Sequence, residues 1–399
     1  MKTREVKLGE VANVKGGKRI PKGIGLINIP NGHPYIRVRD LNNKRLLELD
    51  NSYEYVDNET QKVISKYTVK AGDVVLSIVG TIGLVAIVGR TLDGANLTEN
   101  CVKLSSFHGV NRDFLYYYLR SDCGQQEIRC GTVGAVQAKL PIKNIQNIAI
   151  NLPDYTTQER IASLLLSIDR KIELNQKIND NLEQQAVTYF QELYINNANP
   201  MWQIGTISDL GTVVGGSTPS KTKPEYYTNN GIAWITPKDL SINKSKFISH
   251  GENDITELGL KNSSATVMPK GTVLFSSRAP IGYIAIASNE VTTNQGFKSV
   301  VPYLEIGTAF VYFFLKHSLP VIESAASGST FKEISGSAMK NIPAIIPDRS
   351  TLDQFNSFCA PIFAQQKILE DQNYSLAMLR DSLLPKLMSG AIDIASIQL

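Results

Sequence analysis

Thr156-Thr157-Gln158-Glu159-Arg160-Ile161-Ala162-Ser163-Leu164-Leu165-Leu166-Ser167-Ile168-Asp169-Arg170-Lys171-Ile172 opens the stretch that decides how the rest of the chain is read. Its first four residues fit a capping box, in which a hydroxyl and a carboxylate satisfy the orphan N–H groups of a helix start. Beyond them Ile161, Leu165, Ile168, Ile172, Asn175, Asn179, Leu182, Ala186, Tyr189 and Leu193 recur at alternating intervals of four and three. That spacing lays a narrow seam along one side of a helix, the geometry of a coiled coil. At helical rise Gln158–Tyr194 would run roughly 55 Å, beyond an ordinary globular helix. Charged residues, Asp169, Glu173, Lys177 and Glu183 among them, are expected outside the seam. The plainer alternative is a long helix lying on its own domain. Asn175 and Asn179 count against it, because buried Asn weakens a core while fixing register. Such a helix needs a partner.

The partner is in the same chain. Gly16-Gly17 recurs 199 residues on as Gly215-Gly216, and Gly72-Asp73-Val74-Val75-Leu76-Ser77 recurs as Gly271-Thr272-Val273-Leu274-Phe275-Ser276. Ile82-Gly83-Leu84 likewise meets Ile281-Gly282-Tyr283. Later the interval shortens to 194, with Gly134 on Gly328 and Pro153-Asp154 on Pro347-Asp348. The cap returns as Ser350-Thr351-Leu352-Asp353, and Ile362, Leu369, Leu376 and Leu383 follow at sevens. Pro361 is expected to kink or restart this second helix. The apolar runs near Val74–Val88 and Val273–Ile286 read as paired strands around a Gly turn, and Phe114–Arg120 and Ala309–Lys316 as short helices. The expected fold is therefore α+β. Two mixed α/β domains, 1–154 and 197–348, are each followed by a long helical segment, 155–196 and 349–399. The two helices would pack as an antiparallel coiled coil about a pseudo-twofold axis.

At 399 residues with 42% hydrophobic content the chain can bury more than one core. Its net charge of +4 alone does not demand nucleic acid. The distribution says more, since residues 15–45 carry Lys15, Lys18, Arg19, Lys22, Arg37, Arg39, Lys44 and Arg45 against Asp40 alone. In the second copy the candidate cations are Lys221, Lys223, Lys238, Arg278 and Lys332. Lys and Arg neutralise phosphates, and Arg, Lys, Asn and Gln can read base edges. Arg37 and Arg39 alternate with Ile36 and Val38, so one strand face would carry both guanidinium groups. Four cysteines without a Cys-x-x-Cys and four scattered histidines form no metal or disulfide pattern. No signal peptide or membrane span is visible, which reads as a cytoplasmic protein.

Catalytic chemistry is hard to find. The nearest string to the Pro-rich turn of a base methyltransferase is Asn199-Pro200-Met201-Trp202, with Met in the wrong place. Gly23-Ile24-Gly25 lacks the third glycine of a nucleotide loop. Pro153-Asp154 with Asp169 and Lys171 loosely mimics a nuclease, yet the repeat puts Phe363 and Gln365 opposite the latter two. Three readings compete: a sequence-reading DNA-binding protein, a self-sufficient methyltransferase or nuclease, and a scaffold or DNA-mimicking inhibitor. The last requires an acidic domain face, which residues 15–45 do not offer.

Several segments carry a resemblance. Leu152-Pro153-Asp154, Gln158-Glu159-Arg160-Ile161 and Ser167–Asn179 resemble the helical spacer of type I restriction-modification specificity subunits. Leu379-Arg380-Asp381-Ser382-Leu383-Leu384-Pro385-Lys386-Leu387-Met388-Ser389-Gly390 resembles that family's C-terminal end. Gly215-Gly216-Ser217-Thr218-Pro219-Ser220, Trp234–Leu240 and Gly328-Ser329-Thr330-Phe331-Lys332 are similar to its target-recognition domain, which adds Ser217 to the DNA-binding candidates. The resemblance implies a non-catalytic, DNA-binding subunit of a restriction system, each domain reading one half of a split double-stranded target. It also implies two methylation subunits using S-adenosylmethionine and two restriction subunits using ATP and Mg, those cofactors residing in the partners.

Overall fold

The computed structural model describes residues 2–41, 44–328 and 332–394. The chain forms two compact units, Met1–Ile172 with Ser375–Leu399, and Glu173–Tyr374. In the first unit a five-stranded sheet has the order Asn13–Gly16, Cys101–Ser105, Val74–Ser77, Val85–Val88, Leu46–Leu47. All its pairings are antiparallel except the last. Val74–Ser77 is buried at every position, as its unbroken apolar run requires of a central strand covered on both faces. Gly83 turns the hairpin at φ 91°, a backbone region that side chains strain to reach. A three-stranded sheet, Glu54–Tyr55, Pro34–Ile36, Asn96–Leu97, draws its strands from between those of the large sheet in the chain, and Thr3–Lys7 pairs with Ala149–Pro153.

The second unit repeats this plan. Its five strands follow the order Gly211–Gly215, Lys298–Pro302, Val273–Ser277, Ile281–Ala287, Phe247–Ile248. Gly282 takes φ 96° where Gly83 stood. The smaller sheet runs Tyr227–Thr228, Asn253–Ile255, Ile232–Ile235, Thr292–Thr293, and Gln203–Thr206 pairs with Pro343–Ile346. Each unit places one apolar helix on its large sheet, Arg112–Arg120 and Thr308–His317.

The first long helix spans Tyr155–Phe190, with a π-helical turn over Gln191–Asn196, and the second spans Arg349–Met388. Their starts differ from the sequence expectation. Asp154 accepts the Thr157 N–H at 2.9 Å and Asp348 that of Thr351 at 2.9 Å, so each helix begins two residues before its supposed capping box. Both Asp and Thr cap helices, and the Asp reached first wins. Gln158 is instead buried, accepting the Asn111 N–H and donating to the Pro153 carbonyl. Pro361 neither ends nor restarts the second helix. It sits exposed between Cys359 and Ile362, whose burial holds the turn in place.

Within each unit the helical segments are part of the core. In the first, Ile161, Ala162 and Leu165 join Leu387 and Met388 against Phe114, Tyr117 and the sheet. In the second, Ala186 and Phe190 meet Phe310, Phe313, Phe355 and Ile362. Full burial of each Leu, Ile, Met or Phe among them contributes about 1.5–3 kcal/mol. Pairing in the second unit is antiparallel: Asn175 donates to Asn373 at 2.9 Å, while Gln366 donates to the Asn179 carbonyl at 3.1 Å. Ile168, Asn175, Asn179 and Leu369 are buried; Ile172, Leu182, Leu376 and Leu383 are half-buried. Two charges expected outside the seam are not free surface. Asp169 is 4% exposed, accepting from Tyr117 at 2.5 Å and Arg380 at 2.8 Å. Glu183 pairs with Lys246 and Lys316.

Candidate nucleic-acid interface

Each unit brings polar and cationic groups to the ends of two parallel strands in its small sheet. In the first, Pro34–Ile36 and Asn96–Leu97 run side by side, and the Gly16-Gly17 turn lies across the end of the latter. A Cβ on Gly17 would stand 2.1 Å from the Thr98 carbonyl oxygen and 2.3 Å from that of Leu97. Only glycine permits that approach. Past the turn, Lys18 N–H donates to Leu97 at 2.8 Å, and its ammonium lies 5.5 Å from the Tyr67 ring centroid. The next residue, Arg19, is exposed and donates Nε to Glu99 at 2.5 Å. Burial pushes Glu99 up, but Arg19 and the Thr98 hydroxyl more than reverse it, holding the carboxyl below its ordinary value.

Arg37 and Arg39 do not share a strand face. The strand stops at Ile36, and Val38–Leu41 is a 3-10 turn. That turn forms because buried Asp40 accepts the Arg37 N–H at 2.7 Å. The two guanidinium groups converge all the same on Glu54, Arg39 at 2.7 Å and Arg37 closer still. Burial raises Asp40 to about 6 against the pull of Arg39. Lys15 lines a neighbouring cleft of about 250 Å³ with Lys66, Tyr67 and Lys103, and Lys22 is exposed.

In the second unit the parallel pair is Ile232–Ile235 and Thr292–Thr293, crossed by Gly215-Gly216. A Cβ on Gly216 would lie 2.0 Å from the Asn294 carbonyl oxygen. Ser217 donates its N–H to Thr293 at 2.9 Å and accepts from the Trp234 indole at 3.0 Å, so it builds the turn. Beside it opens a cleft of about 380 Å³ lined by Thr218, Lys221, Lys238, Asn253, Asn294 and Gln295, among others. Lys238 lies in the first turn of the helix Pro237–Ile242 and reaches Glu252 at 2.6 Å; Lys223 is exposed, 3.8 Å from Glu225. Arg278 follows the strand Val273–Ser277 and shares Glu333 with Lys298, at 3.4 and 3.7 Å. Lys332 is exposed, whereas Ser329, Thr330 and Phe331 of the same motif lie outside the described residues.

The arrangement suits a polyanion whose bases are also read: in each unit Lys and Arg side chains, held by carboxylates, stand beside amide and hydroxyl groups. Glu54, Glu99 and Glu252 were missed in the sequence because a search for cations passes over their acidic partners, and Thr218 and Gln295 because their pair is neutral. The drift of the repeat interval from 199 to 194 was the available signal; Glu99 and Gln295 are equivalent at 196. Among the described residues no group of three or more His, Cys, Asp or Glu could hold a metal, and no helix is long and apolar enough to cross a membrane.

Comparison with known proteins follows the same division. A model of the type I restriction modification DNA specificity domain matches twice, over residues 2–184 and 199–371. The MjaIX specificity subunit of a type I restriction enzyme from Methanocaldococcus jannaschii is 43% identical over 162 residues, 40% of this chain and 37% of that one. The HindI specificity subunit from Haemophilus influenzae is 23% identical over 341 residues, 67% of this chain and 73% of the other. The match thus spans little more than a third of the first relative's length. The crystal structure of a type I system S subunit from M. genitalium shares the fold, with a TM-score of 0.57 at 16% identity, covering 97% of this chain and 96% of that one.

Proposed function

The chain belongs to the type I restriction-modification DNA specificity family, and from that premise we propose that it is the sequence-reading subunit of such an enzyme. Each unit reads one half of a bipartite, asymmetric double-stranded DNA target. The observation that carries this is duplication of the frame: two units with one sheet plan, each with a Gly-Gly turn against a parallel strand end. Lys18, Lys22, Lys221 and Lys223 are exposed and suited to phosphates, which position the duplex.

Catalysis belongs, in this reading, to partners in the cytoplasm: two methylation subunits using S-adenosylmethionine and two restriction subunits using ATP and Mg. The long helices offer them a surface. In the second unit Leu174, Ile178, Ile368 and Tyr374 are exposed, and in the first Met378 and Leu379. Besides docking methylation subunits, the helices set the unspecified spacer between half-sites.

Titrating a fluorescent duplex with the chain at several salt concentrations tests the reading. Binding should weaken linearly in log–log form, with a slope of about −0.9 per phosphate neutralised. A scaffold or inhibitor without DNA reading would show no salt-dependent binding, and methylation by the purified chain alone would assign the chemistry to it.

A further inference from the structure

The two Gly-Gly turns present different side chains from one frame. Arg19 and Thr218 are equivalent, 199 residues apart, as are Glu99 and Gln295, 196 apart. Each pair closes on itself in its own unit: Arg19 donates to Glu99 at 2.5 Å, and the Thr218 hydroxyl donates to the Gln295 side-chain carbonyl. The frame is kept, with glycine forced at Gly17 and Gly216 by the strand-end carbonyls. The pair changes from charged to neutral.

A clamp serving only to hold the turn would be buried and fully bonded, and these are neither. The Arg19 side chain is 76% exposed. Its Nη1 and Nη2 have no protein acceptor among the described residues, and neither has the Gln295 Nε2. In each unit one group anchors the reader while its outward donors stay available.

We propose that these pairs are base-reading groups. Arg19, aimed by Glu99, takes the guanine of a G·C pair in one half-site. Gln295, aimed by Thr218, takes the adenine of an A·T pair in the other. An Arg fork matches guanine O6 and N7, and a primary amide matches adenine N6 and N7, each giving roughly 5- to 150-fold discrimination against the wrong base. The Gln295 oxygen keeps a second lone pair for adenine N6–H after accepting from Thr218. This assignment rests on the DNA-reading function proposed above and names the bases it would read.

The test is enrichment of bound sequences from a randomised duplex pool, using the full chain assembled with its methylation partners. Arg19→Ala should lose the G·C preference at one position of one half-site and leave the other half-site unchanged. Gln295→Ala should lose an A·T preference at one position of the second half-site only. The double variant Thr218→Arg, Gln295→Glu should turn that position to G·C. Where an Ala variant melts early, Arg19→Gln or Gln295→Glu takes its place with the same readout. Unchanged base frequencies at every position overturn the assignment, as does equal weakening on all sequences, the mark of a phosphate contact. If the unaltered chain enriches no sequence, the DNA-reading function itself fails.

Discussion

At the residue scale, burial and partnership separate groups that look alike in sequence. Lys221 and Lys246 are both lysines among polar neighbours, yet the Lys246 side chain is only 6% exposed. It pairs with Glu183, donates to Gln366 at 2.6 Å and lies 4.2 Å from the Phe363 ring centroid. Glu370 accepts the backbone N–H groups of Lys246 and Phe247 at 2.8 and 3.1 Å, satisfying donors on an edge strand. Burial lowers Lys246 and raises Glu370, the cost of taking both charges out of water. Removing one member of such a cluster strands the others, so Lys246→Ala should lose about 3–5 kcal/mol in urea unfolding. Lys221→Ala should stay within about 0.5 kcal/mol. An unchanged midpoint for Lys246→Ala would show that the cluster does not stabilise the second unit. None of this was legible from the helix pattern, because a heptad reports which face a residue occupies and not what another element brings to it. Asp169 makes the same point, expected in solvent and buried by Tyr117 and Arg380.

At the element scale more was legible. The hairpin turned at Gly83 and the helices Arg112–Arg120 and Thr308–His317 form where periodicity and turn chemistry put them. The second hairpin instead turns through Arg278-Ala279-Pro280, with Gly282 already in the strand Ile281–Ala287. The misreadings are local contests. Asp154 caps ahead of Thr156, and Asp40 folds a turn where alternation suggested a strand. The long helices also carry a prediction. The division between units falls within both, after Ile172 and after Tyr374. Four residues inserted at each point leave every contact inside either unit untouched. They add about 6 Å of rise and advance each helix by only some 40° beyond a full turn. A DNA base pair adds about 3.4 Å and turns roughly 35°. The double insertion should therefore lengthen the spacer by one or two base pairs with both half-sites intact. Two-residue insertions, rotating by roughly 200°, should abolish binding. An unchanged spacer in the four-residue variant would show that the helices do not set the distance.

At the scale of the whole molecule, the internal repeat was the strongest signal the sequence held. It appears as two units whose five-stranded sheets share one strand order, with a smaller sheet of three strands in the first and four in the second. What the repeat could not show is which side chains differ where the frame agrees, because the drifting interval hid the match of Glu99 with Gln295. The central claim is that one chain reads two separate half-sites, one with each unit. Sequencing methylated bases in cells with this gene, and in the same cells without it, tests that claim most directly. The account predicts a gene-dependent motif of two different specified blocks, separated by an unspecified gap of fixed length. Methylation unchanged by loss of the gene, or a single uninterrupted block, would contradict it.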